Sequence, residues 1–180
     1  MNKNVNDFLT FFLKDEDKEN FIEEKLSRGN LINEWEGLEL IKNDADKPIG
    51  DCSHSWTNGS NFLFSERAKE IINENFGEYI QLLPMIYEDK NFYIDNILNT
   101  VDCVDLDKSD LKIIMGKYIV DVYKYVLKEN AKEFPIFKIY LDGVKVTVDT
   151  FVNDEFKKVI EDNNLEGFKF TEVFDFESVE

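Results

Sequence analysis

The amino-acid sequence predicts an α+β fold: one domain with a mainly antiparallel or mixed sheet, packed helices and a helical N-terminal segment. Three observations carry that prediction. Apolar residues recur at helical spacing in two capped segments, Ala68, Ile71, Ile72 and Phe76, then Phe156, Val159 and Ile160. Val144, Val146, Val148 and Val152 fall on alternate positions behind the turn Asp142-Gly143, the signature of a hairpin strand. The chain has 180 residues, 43% of them apolar, enough for one hydrophobic core without disulfides or a structural metal.

Taken in order, residues 5–27 read as two short helices. Phe8, Leu9, Phe12 and Leu13 share one helical face, Phe21, Ile22 and Leu26 repeat the spacing, and Arg28-Gly29-Asn30 reads as a stop. A short strand is expected between Trp35 and Ile41. Residues 43–61 gather Pro, Gly, Asn and Asp and read as a long loop, a type of segment that often carries function. Ser65 caps the next helix, Glu66 suits its first turn and Gly77 ends it. Tyr79–Tyr87 and Phe92–Leu98 are strand-like around a turn at Glu88–Asn91, and Pro84 marks part of the first as an edge or a bulge. Ile119, Tyr123, Tyr125 and Leu127 sit in an apolar run read as strand, with Tyr118, Tyr123 and Tyr125 packing on the sheet. Ile136–Leu141 is a strand, Asn153 caps a helix to about Asp162, and Gly167 precedes a last strand at Phe168–Val173. With no repeat or low-complexity linker, the whole of 1–180 reads as one domain. It divides into a helical N-terminal extension (1–34), a core (35–173) and an acidic tail (174–180).

Charge narrows the function. There are 38 acidic and 21 basic residues, for a net charge of -17, and residues 51–110 hold twelve acids against four bases. Such a surface repels nucleic acid and anionic membranes and favours a basic protein partner. The run Phe8–Leu13 is too short for a signal peptide and leads into Lys14-Asp15-Glu16-Asp17, so a cytoplasmic location is expected. Cys52 and Cys103 read as free buried thiols.

Catalytic constellations are sparse. His54 is the single histidine, and Cys52-Ser53-His54 places nucleophile and base side by side without an orienting third group. Cys52, His54 and Cys103 make a weak zinc set. As a calcium loop, Asp105, Asp107 and Ser109 fill positions one, three and five, but Asp110 stands where the turn glycine belongs and Gly116 where the closing glutamate belongs. As a phosphotransfer pair, Asp105 and Asp107 would need a buried parallel strand ahead of them, and Val101 and Val104 hardly supply one. The simpler reading is a turn followed by a helix or strand that Asp107 or Ser109 caps. No glycine-rich phosphate loop and no G-x-S-x-G elbow occurs. No cofactor, metal or catalytic residue is therefore assigned, and recognition of a protein through exposed acids and the loop residue Trp56 is the expectation.

Several stretches, in order and spacing, carry a resemblance. They are Lys47-Pro48-Ile49-Gly50-Asp51, Phe64-Ser65-Glu66-Arg67-Ala68, Leu82-Leu83-Pro84, Tyr93 to Asn96, Val101-Asp102-Cys103-Val104-Asp105, Ile136-Phe137-Lys138, Phe151-Val152-Asn153-Asp154-Glu155-Phe156 and Leu165-Glu166-Gly167-Phe168-Lys169-Phe170. Spanning about residues 35–173, they resemble a family of bacterial polymorphic-toxin immunity proteins, immunity family eleven, long catalogued as a domain of unknown function. The resemblance implies a protein that binds and neutralises a cognate toxin and has no active site of its own. The expected contact residues are Glu88, Asp89, Asp102, Asp105, Asp107, Asp110 and Trp56, facing a basic toxin cleft such as that of a nuclease. The alternatives are a magnesium-dependent phosphotransfer enzyme built on Asp105 and Asp107, or an acidic regulatory adaptor.

Overall fold

Local chemistry sets the clearest elements of the computed structural model, which describes residues 7–42, 46–57 and 61–174, without the side chains of 147 and 148. Expectations for residues 5–6, 43–45, 58–60 and 175–180 lie outside the described residues. The chain opens with β1 (Phe11–Leu13), α1 (Glu19–Ser27) and β2 (Leu38–Lys42). A short hairpin, β3 (Cys52–His54) and β4 (Phe62–Ser65), leads directly into α2 (Glu66–Phe76). There the Ser65 hydroxyl accepts the Ala68 N–H at 3.1 Å, as the cap predicts. The long hairpin β5 (Ile80–Tyr87) and β6 (Lys90–Ile97) follows, then β7 (Thr100–Val101), β8 (Asp110–Ile114) and β9 (Tyr118–Lys124). The chain closes with β10 (Ile136–Leu141), β11 (Val144–Val152) and α3 (Asp154–Asp162), whose first turn is capped by the Asn153 side chain accepting the Phe156 N–H.

The strands make a six-stranded sheet in the order β1-β2-β5-β6-β4-β3, a three-stranded sheet β11-β10-β7 and a separate ribbon β8-β9. Parallel pairing joins β2 to β5 and β7 to β10, and the other strand pairs are antiparallel, so the α+β class with a mixed sheet is observed. Side-chain alternation feeds two cores on the large sheet. Leu63, Leu83, Met85 and Ile94 meet Ile22 and Leu26 of α1 in one, while Phe64, Ile80 and Ile97 meet α2 and α3 in the other. A third core fills the β7–β10–β11 side around Phe137, Ile139 and Phe151.

Three expectations need correction. The helix expected over Phe8–Leu13 is absent: Phe11–Leu13 form a strand paired with Leu40–Lys42. Phe8, Leu9, Phe11 and Leu13 are all buried and Phe12 is partly buried, so both sides of this segment face protein and the helical spacing was fortuitous. Pairing with a sheet also outweighs a helix too short to hold alone. Residues 43–61 are not one loop, because β3 and β4 pair within and beside them. Pro84 lies, as expected, in a part of its strand that is an edge, since β2 does not pair with Ile80–Pro84. Its carbonyl accepts the Trp35 indole N–H at 2.9 Å on the β2 side, where pairing starts only at Leu38↔Met85. N–H and C=O of one strand residue point the same way, so the missing N–H would face a stretch with no ladder to complete.

Finally, Phe168–Val173 is not a strand. Gly167 (φ +96°) passes so close to β3 that an added Cβ would lie 2.2 Å from the Cys52 carbonyl oxygen. The segment behind it is held by ring stacking of Phe168 on Phe64 and Phe170 instead of by a ladder.

Candidate interaction surface

The residues that carry the resemblance converge on Asp51, which sequence reasoning did not single out. Its carboxylate accepts the Ser65 hydroxyl at 2.8 Å, the Arg67 guanidinium at 3.1 Å and the Glu166 N–H at 3.0 Å, while the Cys52 N–H donates to the Glu166 carbonyl. Three distant stretches of chain are thereby tied at one carboxylate. Every one of these contacts is internal, so the junction is structural.

The aspartate-rich segment is also tied down. Asp105 accepts the Lys108 N–H at 3.2 Å and pairs with the Lys108 ammonium at 3.3 Å, and its carbonyl takes the Ser109 N–H. Asp105 thus holds the turn, and the element that follows it, directly after Ser109, is the strand β8. Ser109 accepts the Val126 N–H at 2.9 Å, and the Asp105 N–H and the Lys128 N–H donate to the carbonyls of Val126 and Cys103. β7 is the parallel strand that phosphotransfer would require, but it is two residues long and ends before Asp102. Among the described residues no group of three or more His, Cys, Asp or Glu is arranged to hold a metal ion.

The expected contact residues do not form one face. Asp102, Asp107 and Asp110 are exposed and Asp105 is partly buried at the base of β8. Glu88 and Asp89 are exposed at the β5–β6 turn, where Glu88 has φ +55°. That turn is one end of the β5–β6 ladder, which runs from Tyr87↔Lys90 to Ile80↔Ile97. Trp56 is 5% exposed and belongs to the first core, so it offers no loop anchor to a partner. Trp35 is a fastener of the core edge, its indole on the Pro84 carbonyl and its ring under the Lys25 ammonium.

His54 closes β3, half-buried against the Phe62 ring and not on a solvated loop. Burial first, and then the Lys47 charge, lower its pKa. Cys52 and Cys103 are buried, unbridged and in different cores, so Cys103 does not complete a site with Cys52 and His54. Burial pushes the Cys52 thiol well above its ordinary pKa and Cys103 up to about 11, the reverse of an activated nucleophile.

Two features escaped the sequence reading. Asp95 on β6 and Lys138 on β10 are both buried where the two larger sheets meet. Burial raises Asp95 to about 6 against the pull of Lys138 and of the Phe62 N–H, and lowers Lys138 to about 8 against the pull of Asp95. A charged residue inside each apolar run, Phe92–Ile97 and Ile136–Ile139, was the available signal. The neighbouring cavity, lined by Leu26, Asn61, Ile97, Lys138 and Lys145, is about 70 Å³, room for a few waters and far below a small-molecule site.

The second feature is the β8–β9 ribbon. Tyr125 packs edge-on against Phe151, but the expected packing of Tyr118 and Tyr123 fails: they are 50% and 63% exposed. Ile113 (51%), Ile114 (46%), Met115 (87%) and Val120 (49%) are exposed beside them. Exposed Lys112, Lys117 and Lys124 accompany these apolar side chains.

No helix among the described residues is long and apolar enough to cross a membrane. No curated protein matches the chain. The family model described as "Immunity protein family (Imm11)" matches residues 45–175, which covers α2, α3 and all strands from β3 onward. The chain therefore belongs to the Imm11 immunity protein family.

Proposed function

We propose that this protein binds a cognate bacterial toxin domain in the cytoplasm and neutralises it by occupying its surface, with no catalysis of its own. Family membership over residues 45–175 is the observation that carries the reading. Charge supplies the chemistry of the partner. At a net charge of -17 the chain attracts a basic protein and speeds its encounter, and it repels phosphate backbones and anionic lipids. Asp102, Asp107 and Asp110 are the acids that face the toxin, with Asp105 holding the turn that presents them. Glu88 and Asp89 form a separate acidic point that a large partner reaches independently.

The test is co-expression with the toxic C-terminal domain encoded beside this chain's gene. Growth returns, and a complex is recovered that weakens as salt rises. If growth is not rescued and no complex forms even at low salt, the proposal fails.

A further inference from the structure

The β8–β9 ribbon stands apart from the rest of the molecule in its pairing and in its surface. β8 pairs with β9, and among the described residues neither strand pairs with a third. A two-stranded hairpin is marginal in water unless something holds it. Here the hold is at the base: the Val104–Leu127 bridge, the Asp105 and Val126 N–H bonds described above, and Tyr125 on Phe151. Beyond that base, no residue from Leu111 to Lys124 is buried. Six large apolar side chains, Ile113, Ile114, Met115, Tyr118, Val120 and Tyr123, lie within eleven positions and are 46–87% exposed. Soluble proteins seldom leave so many large apolar side chains uncovered on one short ribbon, and Tyr and Met are residue types enriched where partners dock.

The open edges of the ribbon are guarded against simple strand addition. Lys112, Lys117 and Lys124 line it, and its register shifts between Asp110 and Leu111 and again between Lys112 and Ile113. Side chains, not backbone, are therefore the recognition element. A second copy of this chain is a poor occupant, because each copy brings a net charge of -17. Exposed Asp102, Asp107 and Asp110 flank the foot of the ribbon and set the charge of whatever approaches. Apolar centre and charged rim match the anatomy of a protein interface.

We infer that the β8–β9 ribbon is the docking arm of this protein: its apolar tip enters a slot on the basic toxin domain while the three acids at its foot meet the rim of that slot. The inference rests on the immunity reading and names the surface that performs it.

The probe is the purified toxic C-terminal domain encoded beside this chain's gene, titrated against the full chain. The double substitution Ile114→Asp with Tyr118→Asp lowers affinity by about 100-fold and abolishes growth protection, with thermal stability unchanged. The triple substitution D102N, D107N and D110N lowers it by about tenfold and flattens its salt dependence. Hydrogen exchange on the unsubstituted chain gives a second readout, in which amides 110–124 slow on complex formation. If the unsubstituted chain binds but the arm variants bind within twofold of it and amides 110–124 keep their exchange rates, the docking arm is wrong and the immunity reading stands. If the unsubstituted chain neither binds nor protects, the immunity reading itself fails. A concentration-dependent dimer lost in the arm variant, with toxin binding intact, would assign the surface to a second copy and overturn the inference.

Discussion

The hairpins β8–β9 and β10–β11 are alike in design and opposite in fate. β8–β9 reverses through the three residues Met115–Lys117 and β10–β11 through the two residues Asp142–Gly143, and each turn carries two consecutive residues at positive φ: Met115 (52°) and Gly116 (69°) in one, Asp142 (50°) and Gly143 (76°) in the other. Each is rich in β-branched and aromatic residues. Yet β10–β11 buries Ile136, Phe137, Ile139 and Phe151, while β8–β9 buries nothing. The difference lies in what each is laid against. β10 pairs with β7 and packs beside β6, whereas the ribbon has no second layer. Apolar content thus makes a strand in both places, but a neighbouring layer decides whether that content stabilises the fold or is left for recognition.

Substitution should expose this contrast most strongly in the packed hairpin. Phe137→Ala removes a ring stacked on Phe151 in the third core and is expected to cost about 3–5 kcal/mol in urea unfolding. A loss below about 1 kcal/mol would show that the two hairpins are energetically alike and break the comparison.

The next effect is in pH. Asp95 on β6 and Lys138 on β10 are buried and feel each other's charge, and among the described residues the ribbon holds no buried charged side chain. The folded pKa of Asp95 is raised to about 6 from 3.8, so its contribution to stability is full below about 4 and is lost as pH rises through 6. The folded pKa of Lys138 is lowered to about 8 from 10.5, so its contribution is full above about 10.5 and is lost as pH falls through 8. Asp95→Asn keeps an acceptor for the Phe62 N–H and should abolish a fall of order 2–3 kcal/mol between pH 4 and 7. Unfolding curves across that range check it, and an unchanged slope would place the titration elsewhere.

Smaller still is the turn effect. Met115 at φ 52° is a conformation that Asn tolerates better, so Met115→Asn is expected to stabilise the ribbon by about 0.5–1 kcal/mol, read as slower amide exchange over 110–124. It would also weaken toxin binding by removing the most exposed apolar side chain. The least is Ile113→Ser, expected within about 0.5 kcal/mol of the unsubstituted chain because that side chain already meets water. A cost above about 2 kcal/mol would mean the ribbon is packed after all.

The same contrast explains which parts of the site were legible beforehand. Exposed acids at Asp102, Asp107 and Asp110 could be recognised from charge alone. Trp56 looked like a loop anchor since its neighbours in the chain are polar, but its neighbours in space are Leu63, Ile94 and the rest of the first core.

Taken by itself, the sequence determined whatever depends on a few adjacent residues: the caps at Ser65 and Asn153, the Asp142-Gly143 turn, the α2 and α3 faces, the acidity and the family. These are local because a cap or a turn is one hydrogen bond or one dihedral away from its cause. Tertiary structure alone decided that Phe11–Leu13 is a strand and Phe168–Val173 is not, that Asp95 and Lys138 feel each other's charge, and that the Tyr118–Lys124 strand stays uncovered. In each case the deciding partner lies far away in the chain, and burial, unlike propensity, is a property of the pair.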